Sequence, residues 1–251
     1  MFEAIGERLR AYANKDGRGY PDWAMRYGPI MRRWKRTLPP DARIVEAGAN
    51  EAGYARFTGV KTICVDIDHA GLKRARTVQA AMCVVADIAA LPFRNGSADA
   101  ILSIDTLEHI APEKRAAALA ELLRILAPHG AGVLSFPTGT GALRVESRIR
   151  DRYRAMTGET FRWLEEHSLE GLPSAGHVCE ILRQASRGRA IDATKNANLR
   201  VWAWTWMVIL CGWPGRGNAL FQALTRVMAP LLSRAHFGEC YRTMIWIGAE
   251  K

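Results

Sequence analysis

The chain has 251 residues, 49% hydrophobic and 24% charged, and a formal charge of +10 at pH 7. That length can bury a full α/β core in one domain with an elaboration, and the absence of repeats or low-complexity tracts excludes solenoids and disorder beyond the ends. The excess of cations favours partners that carry phosphates, nucleic acid or anionic headgroups, without choosing among them.

The opening residues place Glu3, Glu7, Arg8 and Arg10 where a signal peptide needs an unbroken apolar stretch, so export is not expected. Residues 1–40 read as an N-terminal helical lid ending in the basic cluster Arg32, Arg33, Lys35 and Arg36. From there the pattern alternates between short β-branched runs and longer helical periods, which predicts a parallel sheet with crossover helices. The strands fall at 42–47, 61–66, 81–86, 98–104 and 132–136. The helices fall at 53–57, 69–80 and 112–126, the last with Leu119, Leu122, Leu123 and Leu126 on one face and stopped by Pro128 and Gly130.

After Pro137 the alternation is lost, and residues 140–235 read mostly as helices before a last strand at 242–247. A second basic cluster, Arg144, Arg148, Arg150, Arg152 and Arg154, has helical spacing. The stretch 201–213 holds Trp202, Trp204, Trp206 and Trp213, and Pro214, Gly215 and Gly217 separate it from a second apolar helix beginning at Ala219. This reads as a helical hairpin too short to span a bilayer, and it suits burial in the core, a surface-lying contact through 201–232, or docking of another chain. The five cysteines, Cys64, Cys83, Cys179, Cys211 and Cys240, are scattered and read as buried thiols in a reducing cytosol. The expected location is therefore cytoplasmic, with a peripheral contact at the inner membrane surface as a variant.

The first strand runs into a loop, Glu46-Ala47-Gly48-Ala49-Asn50-Glu51-Ala52-Gly53, where Gly48 and Gly53 let backbone approach a ligand. The hexapeptide from Gly48 nearly fits a dinucleotide fingerprint, but Asn50 stands where glycine admits a pyrophosphate. Glu46 and Glu51 flank the turn and would repel a diphosphate while attracting a sulfonium. Asp66 closes the second strand, where a carboxylate can accept from both ribose hydroxyls, and Asp68 is the better N-cap of the helix that follows. Asp87 follows the third strand and suits either an adenine amino group or an ordinary loop.

The series VEAGANEAG, CVDID, VADIAALPF, ADAILSIDTLEHI and LLRILAPHGAGVLSFP resembles the class I S-adenosylmethionine-dependent methyltransferases of the type-11 kind over residues 42–137. The resemblance implies an α/β fold: a Rossmann-like seven-stranded, mostly parallel sheet with one antiparallel strand, helices on both faces and a helical insertion or lid. It implies a cofactor-binding core at 41–139 and a helical acceptor-binding insertion with closing strands at 140–251. It places Glu46, Gly48, Asn50 and Gly53 at the methionine end, Asp66 and Ile67 at the ribose, Asp87 and Ile88 near the adenine, and Asp105 and Leu107 along the cofactor. The segment from Phe161 to His167, followed by Gly171-Leu172-Pro173, resembles a stretch of bacterial methyltransferases associated with cell-surface glycans.

Methyl transfer is an in-line displacement at carbon that mainly needs positioning and exclusion of water. A hydroxyl acceptor also needs a base, for which His109 is the first candidate, with His167 and His177 behind it. Each also suits a bland role: His109 packing against the next helix, His167 at the surface, His177 at a helix start. Asp105, Glu108 and His109 could instead converge on a divalent metal, although no metal is expected. The expected acceptor is an anionic or glycan-type sugar hydroxyl, since tryptophan faces stack on sugar rings. A lipid-soluble quinone comes second and RNA third; a nucleic-acid partner is not expected. Outside methyl transfer stand a dinucleotide oxidoreductase and a silent binding protein of the same fold.

Overall fold

The computed structural model describes residues 20–160, 165, 167, 171–186, 188–215, 218–232 and 238–250. The opening segment and most of the 161–167 stretch lie outside these. Seven strands, β1 Ile44–Ala47, β2 Thr62–Asp66, β3 Ala81–Val85, β4 Ala98–Ile104, β5 Leu126–Pro137, β6 Ile191–Asn198 and β7 Cys240–Ile247, form one sheet in the order β3-β2-β1-β4-β5-β7-β6. β1 pairs in parallel with β2 and β4, β2 with β3, and β4 with β5, whereas β7 runs antiparallel to β5. The helices are α1 Tyr20–Thr37, α2 Gly53–Thr58, α3 His69–Ala75, α4 Pro112–Ile125, α5 Gly139–Thr157, α6 Ala175–Ala185, α7 Leu199–Ile209 and α8 Asn218–Leu232.

Two compact units divide the chain. Pro29–Thr138, Glu170–Lys195 and Arg242–Lys251 make the first, and Met1–Gly28, Gly139–Leu169 and Asn196–Tyr241 the second. In the first, β1 and β4 are buried along almost their whole length, as expected of central parallel strands covered on both faces. Ala118, Leu119, Leu122 and Ile125 of α4 bury one face at helical spacing and share a cluster with Val178, Cys179 and Leu182 of α6. Leu126, expected on that helical face, is instead the first residue of β5, because the chain turns straight from helix to extended backbone. Pro128 and Gly130 lie inside β5, where the pairing with β4 shifts register. Arg189, 6% exposed, anchors this irregularity by donating to the Ala127 carbonyl at 2.8 Å and the Gly130 carbonyl at 3.2 Å, and pairs with Glu250.

The region expected to be helical contains β6, a correction to the sequence reading. Its segment IDATKNAN offers little β-branched or aromatic character, and residues 192–195 are all exposed, so the alternation that marks a strand is missing. The sheet supplies the pairing: Trp246 Nε1 donates to Thr194 Oγ1 at 3.0 Å. α3 stops at Ala75, short of the expected 80, because β-branched Thr77 and Val78 enter turn bonds instead. Asp68 caps α3 by accepting from Ala70 N at 2.9 Å, as its position suggested.

In the second unit Trp202, 1% exposed, stacks on Tyr241 with ring centroids 3.6 Å apart, and Met25, Ala142, Ile149 and Cys211 complete the cluster. Of the cysteines, Cys64, Cys179 and Cys211 are buried and Cys83 and Cys240 half-buried, all as free thiols. Among the described residues no helix is long and apolar enough to cross a membrane.

Hydrogen bonds from the Arg43 guanidinium hold the Asp99 carboxyl well below the usual carboxylate range, and those from Arg124 lower Glu121. Folded pKa values below the unfolded ones mean that the unfolded chain takes up protons first as pH falls. Stability from these pairs should be fully present above about pH 5 and lost progressively as pH falls through 4 and below. Urea midpoints measured across pH 3–7 should show that decline, and a flat profile would contradict it.

Candidate functional site

The sheet order places the site before any side chain is considered. The chain leaves β1 for β2 and β3 on one side and returns to β4 on the other, so the crevice between the carboxyl ends of β1 and β4 is a topological switch point, where open α/β sheets bind ligands. Gly48, immediately after β1, and Thr106, two residues after β4, meet there. Gly48 has φ +78, and a Cβ at that position would lie 2.2 Å from Thr106 Oγ1. Only glycine fits both demands.

The rest of the loop is held from below. Asp66, at the end of β2, accepts from Asn50 N at 2.7 Å through one oxygen and from Asp68 N at 2.8 Å through the other. A carboxylate offers about four acceptor positions, so this bracing leaves capacity for a diol. Asn50 and Ala52 both take left-handed backbone, with φ 42 and 61. Asn accommodates that conformation locally; Ala52 is fully buried among Ala55, Cys64 and Leu72, and its packing offsets the strain.

Glu46 is only 1% exposed, and its carboxylate accepts from Tyr54 N at 3.1 Å, in the first turn of α2. α2 has no side-chain cap of its own at Ala52, so the buried carboxylate satisfies an amide at the positive end of the helix. Burial, with the charge of Glu46 beside it, raises the Tyr54 phenol above its ordinary range. Glu51 is a different case: its carboxylate meets Arg74 Nε at 2.7 Å in an exposed pair. Of the two carboxylates expected to act on a ligand, Glu51 is thus paired at the surface and Glu46 is buried.

Ile67 is 72% exposed directly after Asp66, an apolar surface at the carboxyl end of β2. Asp87 is exposed and accepts from Ala89 N at 2.9 Å, the ordinary loop arrangement, while Ile88 packs against the core. Gly53 opens α2 and is buried. Leu107 is buried completely in the apolar cluster, so its side chain does not line an open surface.

Asp105 has φ 52, and its carboxylate meets Arg242 Nη2 at 2.9 Å and accepts from Ser135 Oγ at 3.1 Å. The Arg242 side chain is 0% exposed. Asp105 therefore fixes the loop after β4 to β7 and β5, a partner that its sequence neighbours do not announce. Arg115 braces the same loop by donating to the carbonyls of Leu107 and Ile110 at 3.0 and 2.9 Å, and to that of Gly171. His109 ends the short 3-10 turn Leu107–His109 with an exposed side chain.

Residues 46–134 match the family described as a methyltransferase domain. Over those residues the chain is similar to methyltransferases, and its solved neighbours include an S-adenosylmethionine-dependent methyltransferase of Corynebacterium glutamicum. It is 32% identical over 113 residues, 42% of this chain, to the tRNA (carboxymethyluridine(34)-5-O)-methyltransferase ALKBH8 of Macaca fascicularis. The match spans only 16% of that protein. Among solved structures, the phosphoethanolamine N-methyltransferase 2 of Haemonchus contortus in complex with S-adenosyl-L-methionine superposes with TM-score 0.56 at 14% identity, covering 90% of this chain and 53% of that one. The [4+2]-cyclase SpnF superposes with TM-score 0.55 at 16% identity over 88% of this chain and 80% of its own. A cyclase among these neighbours shows that the fold leaves the acceptor chemistry to be argued from side chains.

In the second unit, Glu146 is 2% exposed, accepts from the Tyr241 hydroxyl at 2.5 Å and lies 3.0 Å from His167 Nδ1. The His167 side chain is 6% exposed, so the expectation of a surface histidine fails. A carboxylate on Nδ1 selects the tautomer with its proton there and leaves Nε2 as the basic nitrogen. Sequence reasoning missed Glu146, which stands among five arginines, and Tyr241, which is 95 residues away. His177 lies in the first turn of α6, its backbone N–H meeting Ser174 Oγ at 3.5 Å.

Asp66→Ala should lower the affinity for S-adenosylhomocysteine at least ~10-fold by calorimetry, because it removes the diol acceptor and two loop braces. Asp66→Asn keeps one acceptor oxygen and should lose less. Unchanged affinity in both would remove Asp66 from the site.

Proposed function

We propose that this chain transfers a methyl group from S-adenosylmethionine to a sugar hydroxyl of an anionic glycan or its precursor, with His109, exposed three residues beyond Thr106, receiving the hydroxyl proton. The observation that carries the cofactor half is the close meeting of Gly48 with Thr106 at the switch point, a cradle that any Cβ would fill. Gly48 and its loop would hold the methionine end, Asp66 the ribose and Ile67 the adenine face, while the buried Glu46 charge favours a cation. When bound, the cofactor supplies an electrophilic methyl group on a sulfonium.

What falls to the chain is acceptor orientation and proton removal. His109 stands on the loop after β4 that Asp105 and Arg115 brace, so its imidazole is carried on a fixed backbone. Part of the original case for a sugar weakens, because Trp202 is committed to stacking on Tyr241. The basic surface and a base suited to a hydroxyl remain as support.

A second reading, an oxygen of RNA, is favoured by the tRNA-methylating activity of the 32% identical relative and by Arg144, Arg148 and Arg152, exposed at intervals of four on α5. Methyl-labelled cofactor incubated with fractionated extract decides between them: label that survives ribonuclease and follows glycan supports the first, label released by ribonuclease the second. Label in neither, with cofactor still bound, would point to a silent binding protein.

His109→Gln should lower turnover on the responsive fraction by roughly 10²–10⁴-fold with cofactor affinity unchanged. Wild-type turnover in that variant would remove His109 as the base.

A further inference from the structure

We propose that the outward face of α8 is a docking surface for an anionic lipid bilayer, on which the protein rests without spanning it. In α8, Leu220, Leu224, Met228 and Leu231 recur at steps of four, four and three residues and so share one side of the helix. They are 38–64% exposed, and Leu232 at 42% extends the patch. The other side of the helix is occupied: Thr225 and Ala229 are fully buried, and Asn218 Nδ2 ties the start of α8 to the Val208 carbonyl of α7 at 3.0 Å. Trp213, 42% exposed, packs edge-on against Phe221 and places an amphipathic ring at the margin of the patch.

Charge identifies the occupant. Between Asp192 and Glu239 the chain has no carboxylate, its longest such stretch, while Lys195, Arg200, Arg216, Arg226 and Arg234 fall within it. An apolar helical face within an acid-free, basic segment complements acyl chains beneath anionic headgroups. RNA would meet the cations but gain nothing from leucines, and a neutral protein surface would not call for a segment cleared of carboxylates. At 15 residues α8 is too short to cross a bilayer, so the contact is interfacial.

The full chain should float with vesicles of phosphatidylcholine containing one-third phosphatidylglycerol at least ~10-fold more than with phosphatidylcholine alone, and less at high salt. Leu220→Ser, Leu224→Ser and Leu231→Ser together should reduce flotation by roughly another 10-fold with the circular dichroism unchanged, since all three are exposed. In the unaltered chain, anionic lipids brominated on their acyl chains should quench tryptophan fluorescence, a readout that does not depend on the variant folding. Failure to float with anionic vesicles, or flotation and quenching indifferent to the triple substitution, would overturn the proposal. A serine variant that abolishes self-association of a chain that ignores vesicles would reassign the face to a second copy.

Discussion

Gly48→Ala is expected to cost the cofactor-binding unit about 2–5 kcal/mol and to eliminate measurable S-adenosylhomocysteine binding. Two physical effects add at this position. The left-handed backbone at φ +78 penalises any L side chain, and the new methyl would lie 2.2 Å from Thr106 Oγ1 and 2.8 Å from Thr106 Cβ. Because the loop is tied to Asp66 through Asn50, it has little freedom to move aside without breaking that 2.7 Å bond. Thr106→Gly in the same chain should recover the steric part and leave the backbone part, so the double variant should bind weakly where the single does not. Calorimetric titration and denaturant melts of the three variants would show this, and a Gly48→Ala protein with wild-type affinity would mean that the crevice is not where the cofactor sits.

The parallel half of the sheet was readable because its strands are short apolar runs punctuated by caps, as with Asp68 at the start of α3 and Pro112 at the start of α4. That one strand would run antiparallel came from family resemblance, but not that it is β7, since nothing in its own alternation gives direction. β6 was illegible because its exposed residues are polar and its stability is borrowed from β7. In the site, Gly48 and Asp66 could be found from local spacing. The pairing of Glu51 with Arg74, of Asp105 with Arg242 and of Glu146 with Tyr241 could not, because the partners are 23, 137 and 95 residues apart. Each added a partner: the first pairs a loop carboxylate at the surface, the second gives Asp105 a buried cation, and the third fixes a carboxylate that also meets His167.

The second large effect follows from the Asp105 anchor. Arg242→Met should destabilise the first unit by about 3–5 kcal/mol, because it strips the cation from a carboxylate whose side chain is only 7% exposed. Asp105→Asn should cost a similar amount by leaving the fully buried guanidinium without its anion, even though Asn tolerates the left-handed φ of 52 and can still meet Ser135. The double variant Asp105→Asn with Arg242→Met removes both charges and should fall well short of the sum, with a coupling of roughly 2 kcal/mol or more by denaturant unfolding. Additive losses would mean that the two side chains are stabilised independently. Because Asp105 is one residue before Thr106, either single change should also loosen the wall against which Gly48 packs, so cofactor affinity should fall with stability and recover in part in the double variant.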